Sequence, residues 1–99
     1  MPDMALEGVR VLDLTHLLTG PFATRFLADY GADVIKVEPP DGDPARGFPP
    51  FLRDMPGPER SGLFLFLNTG KRSVVIDLET TQGREQLLSL VRTADILVE

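Results

Sequence analysis

Apolar and polar positions alternate along this chain between short apolar runs and helical stripes. Residues 9–14 (VRVLDL) and 73–78 (SVVIDL) carry apolar side chains on both parities, the pattern of strands covered on both faces. Gly20-Pro21 opens a helix, because proline's missing N–H costs nothing in a first turn. Phe22, Ala23, Phe26, Leu27 and Tyr30 follow at helical spacing and predict its apolar face, and Gly31 stops it. Residues 33–38 (DVIKVE) predict a second strand. After the third strand, Thr80 or Thr81 caps a helix whose Leu87, Leu88 and Val91 recur at helical spacing, and Ile96-Leu97-Val98 begins a fourth strand. Residues 61–67 favour a short helix over a strand.

Strands alternating with helices imply a parallel sheet. The predicted fold is therefore α/β, an open parallel Rossmann-like sheet. Between its second and third strands, residues 39–60 hold seven of the nine prolines and three of the nine glycines, which makes a long irregular loop. Two helices cannot cover such a sheet, and the sequence stops just after a strand. Residues 1–99 are accordingly expected to be the N-terminal part of a larger protein, with strands left uncovered when alone.

Composition narrows the function. A net charge of −5 excludes a protein held on nucleic acid by phosphate contacts. With no cysteine and one histidine, no thiolate chemistry, disulfide or multi-histidine metal site is expected. The longest apolar run, Leu63 to Leu67, falls far short of the ~20 residues of a membrane span. The N-terminus shows no secretory pattern, so the cytoplasm is the expected compartment.

In open parallel sheets, ligands sit beyond the carboxyl ends of the strands. Three places meet that rule: the turn after Leu14, the segment after Val37 and the residues around Leu78. The turn THLLTGP (15–21) offers backbone N–H groups at a helix N-terminus, suited to an anion or a polarised carbonyl, and reads equally as an ordinary connection. It lacks the GxGxxG of dinucleotide sites. His16, beside apolar neighbours, reads as a structural histidine bonded to backbone, with a general base as the other reading. Asp13, in a buried strand, must be paired or hydrogen-bonded. Lys71-Arg72 is not a P-loop, because GKRS lacks the upstream glycine and precedes a strand. Both cations sit at the amino end of the third strand, opposite the expected ligand, and suit salt bridges as well as ligand contact. The GDPAR turn (42–46) carries a cation, Arg46, with the same two readings.

Taken together, LEGVRVLDLTHLLTGPFATRFLADYGADVIKVEPPDGDPAR and LNTGKRSVVIDLETTQGREQLLSLVRTADILVE closely resemble the N-terminus of class III CoA-transferases, the CaiB/BaiF family. The likeness runs from Leu6 to Glu99, with only residues 47–60 unaligned. It implies a partial CoA-binding Rossmann-like domain of a two-domain, interlocked homodimer acting on acyl-CoA and carboxylic acid substrates, with no metal. It also implies an aspartate beyond residue 99 that attacks the thioester and carries the acyl group as an anhydride, so that no catalytic residue lies in this chain. Leu18 and Thr19 match turn positions against CoA near the thioester, and relatives often carry glutamine where Leu18 stands. Pro39 matches a position where some relatives use arginine towards the nucleotide. Ile76, Asp77, Leu78 and Glu79 match the strand exit bordering the adenosine, with Glu79 where relatives often have lysine. The resemblance also admits an α-methylacyl-CoA racemase, and the fold alone admits a non-enzymatic nucleotide-binding module.

Overall fold

A computed structural model describes residues 3–99. Four parallel strands, β1 (Arg10–Asp13), β2 (Asp33–Glu38), β3 (Arg72–Val75) and β4 (Ile96–Val98), form one sheet in the order β3-β2-β1-β4. Three helices connect them: α1 (Thr19–Asp29), α2 (Gly62–Leu67) and α3 (Thr81–Val91). The predicted fold class and element order hold. β1 pairs with β2 from Arg10↔Asp33 to Asp13↔Lys36, and β2 with β3 from Ile35↔Arg72 to Glu38↔Val75.

The core gathers on the inner strands, where Val11, Ala32 and Val34 are buried against Leu6, Val9, Leu27, Ala28 and Val98. Double-sided burial holds for β1 and β2. It fails for β3, where Val75 is 61% exposed, and for β4, where Ile96 and Leu97 are also exposed. No described element packs on those faces to the extent their apolar pattern anticipates. β3 also starts and ends earlier than expected. Ile76 still donates to the Glu38 carbonyl, and the chain then turns into α3. That turn is tight, because Gly83 lies so close to the Asp77 carbonyl that a Cβ there would overlap it.

Helix α1 corrects the sequence reading most. Its buried residues are Pro21 and Thr24, with Leu27 and Ala28 against the core, while Phe22, Phe26 and Tyr30 point outward. The inward stripe contains a threonine because its hydroxyl donates to the Asp13 carboxylate at 2.6 Å. The outward aromatics instead meet one another and α2: Phe22 lies edge-on to Phe26 at 5.0 Å and stacks on Phe66 at 6.4 Å. Helix α2 forms as predicted, capped by Ser61, whose hydroxyl accepts from the Phe64 N–H.

The proline-rich span is ordered rather than loose. It contains two 3-10 turns, Pro44–Gly47 and Leu52–Asp54, and a bridge between Phe51 and Ser61. Asp43 caps the first turn through the Ala45 N–H, and the Ser61 hydroxyl donates to the carbonyls of Ala45 and Phe48.

Candidate functional site at the carboxyl edge of the sheet

Buried charges gather at the carboxyl ends of β1 and β2. Asp13 closes β1 and has no solvent exposure. It accepts from the Thr15 N–H, the Thr15 hydroxyl and the Thr24 hydroxyl, and from Lys71 Nζ at 2.9 Å. Lys71 starts at the amino end of β3 but reaches the first turn of α1, where it also donates to the Pro21 carbonyl. The expected tether at Asp13 and the salt-bridge reading of Lys71 are therefore both found. Burial pushes the Asp13 carboxyl up, but the donors around it outweigh that and hold it below the usual carboxylate range. Burial also depresses Lys71, against the attraction of Asp13. The two shifts differ in which effect prevails because Asp13 gathers donors from three residues, whereas Lys71 faces this one carboxylate at contact distance.

At the end of β2, Glu38 binds Arg46 through both carboxylate oxygens at 2.7 Å and also accepts from the Ser73 hydroxyl and the Asp43 N–H. Burial opposes its ionisation, yet these donors bring its carboxyl down to about 2. Arg46, the cation of the GDPAR turn, is therefore engaged by Glu38 and stacked 3.8 Å over the Phe64 ring. Next to it, Lys36 and Asp43 form an ion pair at 2.7 Å with both side chains buried.

Above these charges lies a cleft of about 350 Å³ lined by Leu14, His16, Val37, Pro39, Pro40, Asp41, Ile76, Asp77, Leu78 and Glu79. Its walls come from the ends of β1, β2 and β3, the three places singled out by the strand-edge rule. Of the residues expected to bind ligand, Pro39, Ile76, Asp77, Leu78 and Glu79 meet here. Leu18 and Thr19 do not line the cleft. Leu18 is the N-cap of α1, makes no side-chain cap and is 58% exposed. His16 is exposed and lines the cleft, a place that the reading as a structural histidine bonded to backbone did not anticipate. Asp41 was not anticipated either. The signal for both lay in their places, a few residues beyond the ends of their strands' apolar runs.

The charge of the cleft decides what it can hold. Asp41, Asp77 and Glu79 make it acidic, and His16 is the one described lining side chain able to carry a positive charge. A polyphosphate would therefore not be neutralised within it, whereas a neutral aromatic or amide-bearing group meets apolar walls of proline, leucine, isoleucine and valine. Among the described residues no group of three metal-ligating side chains converges, and no helix is long and apolar enough to cross a membrane.

A profile of the family described as CoA-transferase family III matches residues 6–99. The chain belongs to that family. It is 53% identical over 95 residues to a succinyl-CoA:mesaconate CoA-transferase of Haloarcula hispanica, covering 96% of this chain and 24% of that relative. It is 50% identical over 95 residues to a formyl-CoA:oxalate CoA-transferase of Streptomyces avermitilis, covering 96% and 22%. Among solved structures, the Mycobacterium tuberculosis protein Rv3272 superposes with a TM-score of 0.88 at 44% identity, covering 100% of this chain and 27% of that one. A CaiB/BaiF family protein from Brucella suis gives 0.85 at 41% identity, covering 97% and 25%. This family III chain thus spans about a quarter of the length of the curated relatives it matches.

Proposed function

We propose that this family III chain is the CoA-binding N-terminal segment of an acyl-CoA:carboxylate CoA-transferase. The observation that carries the reading is the convergence of Pro39, Ile76, Asp77, Leu78 and Glu79 on one cleft at the carboxyl edge of the sheet. In this reading the cleft takes the neutral adenine base of CoA, and Pro39 and Leu78 supply apolar contact. Leu18 and Thr19, at the opening of α1, lie towards the thioester, where the first-turn N–H groups favour a polarised carbonyl oxygen. The phosphates find their cations outside the cleft.

The reaction proceeds by covalent catalysis, which divides one difficult transfer into two acyl exchanges. A carboxylate beyond residue 99 attacks the thioester carbon and CoA thiolate departs, leaving an aspartyl-acyl anhydride. The thiolate then attacks the aspartyl carbonyl and frees the donor acid, and the acceptor carboxylate runs the same two exchanges in reverse to leave as its CoA thioester. The full-length enzyme is a cytoplasmic, interlocked homodimer. Racemisation by proton removal and return at an α-methyl centre is the competing chemistry on the same CoA site.

Isothermal titration of the native-length protein with CoA and with NAD tests the site. Saturable CoA binding with no NAD binding is expected; preference for NAD, or no binding of either, would overturn the reading. Exchange of label between acyl-CoA and free carboxylate then separates transferase from racemase.

A further inference from the structure

Two buried charges lie behind the cleft without lining it. The side chains of Lys36 and Asp43 are 1% and 0% exposed and stand 2.7 Å apart. Lys36 Nζ donates to the Thr15 carbonyl at 2.9 Å. Asp43 Oδ1 accepts from the Leu17 N–H at 3.1 Å. The pair therefore grips the peptide groups on either side of a single residue, His16. Immediately after it, Leu17 adopts a φ of +67°, in the left-handed region that a leucine rarely occupies. Such a conformation costs on the order of 1 kcal/mol or more and persists only where its surroundings over-determine it. Here the over-determination is the ion pair. Its result is an exposed imidazole at the cleft, facing a rim of Asp41, Asp77 and Glu79.

We infer that Lys36 and Asp43 are positioning residues that hold His16 in the cleft, where its imidazole hydrogen-bonds the bound CoA. This rests on the reading of the cleft as the CoA site and adds to it a ligand-contacting side chain and the device that aims it. The opposing possibility is that the pair serves the fold alone and His16 is a bystander.

The two are separated by a mutant cycle on the native-length protein, with CoA affinity by titration calorimetry and thermal unfolding measured in parallel. His16→Ala should weaken CoA binding about fivefold, the loss of one hydrogen bond, with no change in melting temperature. K36M/D43L removes both buried charges together, which avoids stranding one of them and keeps the fold. It frees the Thr15 and Leu17 peptide groups and should weaken binding by the same factor. H16A/K36M/D43L should show no further loss, because both changes remove one contact. K36M/D43N, which keeps an acceptor for the Leu17 N–H, should lose less. Full additivity in the triple variant, or wild-type affinity in His16→Ala, would overturn the inference. If K36M/D43L does not fold, K36M/D43N on the two backgrounds supplies the same cycle under the same criterion. Failure of the wild type to bind CoA would instead overturn the underlying site assignment, and this inference with it.

Discussion

The Asp13–Lys71 pair offers the sharpest quantitative test of how this sheet edge is built. At 2.9 Å, and with an effective dielectric constant near 20, the two charges attract with a gross energy of about 6 kcal/mol. Desolvation of two buried ions opposes most of this, so the intact pair contributes little net stability. Breaking it is a different matter. Lys71→Met leaves the Asp13 carboxylate buried, with its remaining donors on Thr15 and Thr24. An uncompensated buried charge costs about 3–5 kcal/mol, and the surviving donors place this one at about 3 kcal/mol. D13L/K71M, which removes both charges, should recover most of the loss. Denaturant unfolding of the native-length protein, followed at the transition that includes this segment, reads the difference. A Lys71→Met loss below about 1 kcal/mol would refute the reasoning. So would a double variant less stable than Lys71→Met, because the deficit would then arise from packing and not from a stranded charge.

Four further outcomes are expected. Glu38, held at about 2 against an ordinary 4.5, stabilises the fold by about 3 kcal/mol above its ordinary value. Because its folded value is the lower one, that stability should disappear as pH falls from about 4.5 towards 2, with Asp13 and Asp43 adding in the same direction, and an acid titration of the unfolding midpoint with a flat profile there would contradict it. Gly83→Ala should cost about 2 kcal/mol or more, because the new Cβ meets the Asp77 carbonyl and levers α3 away; an unchanged urea midpoint would show the approach to be loose. Leu18→Gln should alter CoA affinity or turnover while shifting stability by no more than about 0.5 kcal/mol, and a large drop in melting temperature would reassign Leu18 to packing. Residues 1–99 expressed alone should bind a hydrophobic dye and self-associate, with Phe22, Phe26, Phe66 and Val75 exposed; a sharp cooperative melt of the monomer would count against this.

Much of the fold was legible because it rests on signals that are local in sequence. β1 and β2 show in their apolar runs, α1 in its Gly-Pro start and Gly31 stop, and α3 in the capping hydroxyl of Thr80. The inward face of α1 was not legible. Helical spacing marks the aromatic stripe equally well whichever side the sheet lies on, and the inward Thr24 is chosen by a carboxylate eleven residues earlier in the chain. The long loop misled for a related reason. Its proline and glycine content speaks of irregular backbone, but what orders it is buried pairing of Asp43 and Arg46 with Lys36 and Glu38, and no spacing rule states such partnerships. In the site, the strand-edge rule named the edge at which the cleft lies. It could not tell that His16 would be turned out towards the cleft, since that depends on the left-handed turn at Leu17.

β3 carries one more consequence. Its side chains are largely exposed, yet its alignment with β2 is held through its first two residues, by Arg72 to Asp33 at one end of β2 and by Ser73 to Glu38 at the other. Asp33 also binds Arg10, so a single carboxylate ties three neighbouring strands at their amino edge. A slip of one residue would break these contacts even though it would bury or expose little apolar surface. In this strand, then, the information that sets alignment is kept apart from the residues that set surface character. Val74 and Val75 can be exchanged to suit whatever covers them, and the order of the sheet beneath would be unchanged.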